Sequence, residues 1–314
     1  MSTVTETSVT LPSTSPSQRL RTSFAAVRIA FIWLGTRITL TTEQKAQAAE
    51  TFGAEGEFLS AGKKMLDTKH PAFKAVTGVR SSIVSYWKGL TLPYPDPGTR
   101  LVRFNQVESF NDQLNLLKGE LEEAVQRLDE HYAELKSAAR DRLGSLFNEA
   151  DYAESLIGRF QVTWDFPSVE PPDYLRQLNP EVYRQECERV ASRFDEAVQM
   201  AEAAFAEEIH NLVAHLTERL TGQVDGRPKV FRDSAVENLT AFFRRFKDLN
   251  LNSDPELDQL LDQCQQVVQG VEPQTLRDNN VLRQSVASEL SQVQTVLDDL
   301  LVDRPRRNIL RRPR

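Results

Sequence analysis

Apolar residues recur at alternating steps of three and four along two stretches of nearly equal length, 105–147 and 180–220. In the first, Val107, Phe110, Leu114, Leu117, Leu121, Ala124, Leu128 and Leu135 hold one seam until Tyr132, Ala139, Leu143 and Leu146 take it over. In the second, the face runs Tyr183, Cys187, Val190, Phe194, Ala197, Ala201, Phe205, Ile209, Leu212, Leu216 and Leu220, with one slip of register near Ala204. Such spacing lines one side of an α-helix. Sustained over many turns it is also the seam of a coiled coil, which a slip locally unwinds. The two stretches therefore predict a long antiparallel helical hairpin, a coiled-coil arm over 105–222, with an aromatic and proline-rich tip at 148–179.

The rest of the chain changes period more often. Residues 1–22 read as a disordered leader, because half of the first twenty are serine or threonine and almost none is large and apolar. Residues 23–104 read as an α+β region. Val27, Ile29, Phe31 and Trp33 alternate as in a strand, and Gly35-Thr36 turns the chain toward a second short strand at Ile38 and Leu40. Thr41 with Gln44 makes a capping box that opens a helix over 43–51. Pro71 opens another, carrying Phe73, Val76, Ile83 and Trp87 and ending near Gly89. Pro95-Asp96-Pro97-Gly98 then turns a hairpin between 90–94 and 99–104. Beyond the arm, the glycines of 222–228 mark a boundary, and 223–303 reads as a C-terminal helical bundle of three helices. They begin at the capping box Ser234/Glu237, at Asp254-Pro255, and near Asn280. The fold class is mainly α with a small β component, an α+β arrangement built on the arm and the bundle.

Composition bears on partners and compartment more than on fold. The net charge is −7, but six arginines crowd the tail at 304–314, so the remainder, −7 less 6, carries −13. An acidic body of that kind argues against general nucleic-acid affinity, while Arg306, Arg307, Arg311 and Arg312 form a basic tail suited to phosphates or to an acidic protein surface. The longest apolar run near the N-terminus, 29–34, is far short of the ~20 residues that a membrane span needs, and no small-residue cleavage site follows it. The two cysteines, Cys187 and Cys264, each fall on an apolar helical face and read as buried thiols of a cytoplasmic protein.

Signatures of chemistry are few. The stretch 57–64 approaches a phosphate-binding loop, but Glu57 stands where the cradle needs glycine and Lys64 where magnesium needs a hydroxyl, so it reads as a solvated helix end. Glu207 and His210 have the Glu-x-x-His spacing of di-iron bundles. A di-metal site needs a second such pair, and His131 has Leu128 three residues before it. With four histidines and no Gly-x-Ser-x-Gly, a hydrolase triad has little to build on. No enzyme, cofactor or metal site is assigned. The densest aromatic cluster is 160–175, where Val162, Trp164 and Phe166 share one face of a strand and Tyr174 follows Pro171-Pro172. Trp164, Phe166 and Tyr174 are the candidate partner-binding residues of the tip, with a small core of the tip's own as the alternative; the core reading is favoured for Trp164 and the partner reading for Tyr174.

Several segments, Lys69-His70-Pro71-Ala72, Leu92-Pro93-Tyr94-Pro95, Arg142-Leu143-Gly144-Ser145-Leu146-Phe147-Asn148, Trp164-Asp165-Phe166-Pro167 and Phe231-Arg232-Asp233-Ser234, are similar to those of a family of uncharacterised bacterial proteins. The resemblance covers about residues 25–305. More distantly the chain resembles a domain of unknown function encoded beside MoxR-type AAA+ ATPases and von Willebrand A proteins. That resemblance implies an adaptor or substrate of a remodelling ATPase and brings no catalytic residues with it. The functional expectation is a non-enzymatic scaffold or adaptor making protein–protein contacts, with nucleic-acid binding through the arginine tail as the alternative; the sequence leaves the oligomeric state open.

Overall fold

A computed structural model describes residues 15–224, 227–228 and 232–303. In chain order it contains α1 (Pro16–Ser23), β1 (Phe24–Trp33), β2 (Arg37–Thr39), α2 (Thr42–Glu50), β3 (Gly62–Lys64), α3 (Pro71–Leu90), β4 (Thr91–Pro93), β5 (Thr99–Arg103), α4 (Val107–Glu130), α5 (Tyr132–Leu143) and β6 (Phe160–Asp165). There follow α6 (Tyr174–Leu178), α7 (Pro180–Thr221), the short strands β7 (Gln223–Val224) and β8 (Arg227–Pro228), α8 (Ser234–Leu249), α9 (Pro255–Val268), α10 (Pro273–Asp278) and α11 (Asn280–Asp303). Helix dominates and the strands pair in small antiparallel ladders, so the protein is mainly α with a small β component.

The chain divides into two compact units, and it passes between them more than once. One holds the described residues of Met1–Ala26, Leu90–Phe104 and Ser168–Arg314. Its spine is α7, which packs against α11, α1 and α8. Val190, Phe194, Ala201, Phe205, Ile209 and Leu216 are buried along one side of α7, the side that the periodicity marks. Phe205, Phe242 and Phe246 meet with centroids 5.0–6.2 Å apart, fastening α8 to α7. Arginines finish several helix ends in this unit. Arg283 of α11 donates from Nε to Leu220 O at 2.8 Å and from Nη2 to Arg219 O at 2.7 Å. Arg103 of β5 donates to Asp248 O at the end of α8. Arg19 of α1 donates to Leu251 O just beyond it. The last carbonyls of a helix have no partner within it and carry partial negative charge, so a guanidinium satisfies both needs at once. Gly98, at φ 78°, completes the β4–β5 turn, and Gly270, at φ 73°, lets the chain leave α9.

The other unit comprises Val27–Gly89 and Asn105–Pro167. Its β1–β6 ladder runs from Arg28 opposite Asp165 to Trp33 opposite Phe160. Trp33, Phe160 and Phe73 of α3 pack edge to face, with centroids 4.9 and 6.2 Å apart. Helix α4 packs on β6, with Phe110, Leu114, Leu117, Leu121 and Leu128 buried. A separate β2–β3 ladder precedes α3.

Four expectations need correction. The stretches 105–147 and 180–220 belong to different units rather than to one hairpin, and the first is broken at His131, where the seam changes to Tyr132. Periodicity shows that a stripe is covered without showing by what; α4 is covered by β6, and α7 by α11, α1 and α8. The segment 148–179 is not the tip of an arm, because Phe160–Asp165 is a strand of the β1–β6 ladder. The leader does not extend to residue 22, because Pro16–Ser23 is helical and Leu20 is fully buried. Ser15 and Gln18 form a capping box ahead of Pro16, a start signal of the same kind that correctly placed α2. The capping box expected from Ser234 is absent. Asp233 is the cap residue of α8 and makes no side-chain cap.

Candidate interaction surface

In the first unit, residues 168–183 lead from an extended segment into α6 and α7. Pro171 is buried. Glu170 is tied to Arg21 of α1 through a bidentate pair, Arg21 Nε donating to Oε1 at 2.7 Å, and its own N–H donates to Ser168 Oγ. Two turns of hydrogen bonds, Leu175 N to Pro172 O and Asn179 N to Leu175 O, fix α6. Asn179 then caps α7 by accepting from Val182 N at 3.2 Å, with Pro180 in the first turn. On this anchored backbone Tyr174 is 62% exposed, Leu178 77% and Val182 37%. Beside them lies an open cleft of about 520 Å³ lined by Ser168, Glu170, Pro171, Pro172, Asp173 and Tyr183. The first turns of α7 carry no buried residue before Val190. They are stitched instead by Arg184, which bridges Glu181 and Glu188 at 2.7 Å each, the Glu188 contact being the four-residue spacing that suits a helix surface.

Tyr174 is therefore a surface side chain on a fixed frame. Trp164 is a half-buried side chain of β6 whose indole Nε1 donates to Asn111 Oδ1 of α4 at 3.0 Å. Phe166 follows the end of β6 and is 41% exposed. Trp164 and Phe166 belong to the unit of α4, and Tyr174 to that of α7, so the three do not form one patch within a unit. Arg306, Arg307, Arg311 and Arg312 lie outside the described residues.

The segments that came nearest to catalytic motifs have other duties. Lys63 is not on a solvated helix end; it is in β3 and buried, with Nζ 2.6 Å from Asp151 Oδ2 and donating to Leu146 O at 2.7 Å. It ties the loop after α5 to this strand, and nothing in its spacing to Gly62 signals that distant partner. His210 Nε2 lies 2.8 Å from Asp298 Oδ1 of α11, while Glu207 is exposed. His70 and His131 face each other with ring centroids 5.1 Å apart, and His131 also has Glu134 at 3.6 Å. Among the described residues no group of three or more His, Cys, Asp or Glu side chains is placed to hold a metal ion.

Burial sets the cysteine and arginine chemistry. The Cys264 thiol is pushed up to about 12 by desolvation, which makes it inert at neutral pH, whereas Cys187 is only half-buried and lies beside Tyr183. Arg100, held by Thr91 Oγ1 and O, is drawn down to about 10 by burial and then by the nearby Arg245. Among the described residues no helix is long and apolar enough to cross a membrane. Compared with family models, curated proteins and solved structures, the chain matches none.

Proposed function

We propose that the protein is a non-enzymatic helical scaffold or adaptor that binds another protein through Tyr174, Leu178 and Val182. The observation that carries this reading is the exposure of three sizeable apolar side chains within residues 174–182, on a backbone already held by Pro171, the Arg21–Glu170 pair and the Asn179 cap. Exposed apolar groups gain by leaving water, and a frame that is already ordered loses little entropy on docking. Aromatic anchors such as tyrosine contribute much of the affinity of protein interfaces. The partner proposed is a cytoplasmic remodelling ATPase of the AAA+ class, which rests on the sequence resemblance alone.

The test compares the wild-type chain with a Tyr174→Ala/Leu178→Ser/Val182→Ser variant as bait in cells that make the protein. The reading expects an associated protein that the variant loses at least tenfold while its melting temperature stays within about 5 °C, because three exposed substitutions at about 0.5 kcal/mol each shift stability by no more than about 1.5 kcal/mol. Equal recovery by both baits would remove it. A second reading, nucleic-acid binding, rests on the six arginines at 304–314. It expects binding whose salt dependence disappears in a chain ending at Asp303.

A further inference from the structure

We draw no further inference here: the strongest candidate, the surface patch of Phe52 and Phe58 on the loop between α2 and β3, 81% and 86% exposed, is an unpartnered apolar patch, and nothing in the structure shows what covers it, since the acids of residues 37–64 are balanced by as many lysines and arginines and so select no occupant.

Discussion

Arg283 ties α11 to the C-terminal end of α7. It is 6% exposed, and it gives two hydrogen bonds to the last carbonyls of α7. A charge-assisted hydrogen bond contributes about 1.5–3 kcal/mol net, and a cation at a partly buried helix C-terminus up to ~2 kcal/mol. These contributions share one guanidinium and do not add fully. Arg283→Met keeps the apolar stem, removes both donors and leaves two carbonyls short of partners, so a loss of about 3 kcal/mol is expected. Arg283→Lys keeps the charge but replaces the fork with a single ammonium, and about half of that loss should return. Set against a typical domain stability of about 5–15 kcal/mol, the methionine change is large. The assay is urea unfolding followed by two probes. Trp33, Trp87 and Trp164 all lie in the unit of Val27–Gly89 and Asn105–Pro167, so fluorescence reports that unit, while far-UV circular dichroism is weighted by the long helices α7 and α11. Arg283→Met should lower the dichroism midpoint. A shift of less than about 0.5 kcal/mol would refute the claim that the guanidinium caps α7.

Three further outcomes follow from the same geometry. Cys264, with its thiol raised to about 12, should resist alkylation at pH 8 until denaturant is added, while Cys187 reacts in the folded protein; equal rates would contradict the burial assigned to Cys264. Hydrogen bonds from Lys136 and Arg140 hold Glu149 below the 4.5 ordinary for glutamate. A depressed carboxylate stabilises the fold above its unfolded pKa and loses that contribution as pH falls through the folded value, so Glu149→Gln should flatten the loss of melting temperature below about pH 4.5, and an unaltered acid limb would refute the pairing. Trp164→Phe keeps the ring but loses the bond to Asn111, and should lower stability by about 1 kcal/mol in urea unfolding; no change would mean that the indole N–H is not engaged.

Local signals in the sequence were the ones most directly legible. The capping box at Thr41, the prolines that open α3 and α9, the turn at Gly98 and the apolar face of α7 all act within a few residues, and each is where the sequence places it. Pairing was not legible. One partner of β1 is a strand more than 120 residues later in the chain, and no periodicity in Phe160–Asp165 names β1 as its neighbour. Two helices with similar stripes looked like each other's cover because an apolar stripe has no address. The ion pair of Lys63 with Asp151 has the same character, joining residues that only the fold brings together. At the candidate surface, the aromatic and proline content of 160–175 drew attention to the right segment, but not to its division: Trp164 anchored in β6, Tyr174 exposed on α6. The exposure of Leu178 and Val182 had no sequence signal, since a leucine that ends a short helix resembles any core residue until its surroundings are known.

The central claim is that the surface at 174–182 is made for another protein, and it is tested most directly by placing a photo-crosslinking amino acid at Leu178 and, as a control of equal exposure, at Val281 of α11, whose exposures are 77% and 79%. In irradiated cells that make the protein, the account predicts a discrete crosslinked species from position 178 that position 281 does not give and that Tyr174→Ala reduces. The same faint smear of adducts from both positions, unaffected by Tyr174→Ala, would contradict it.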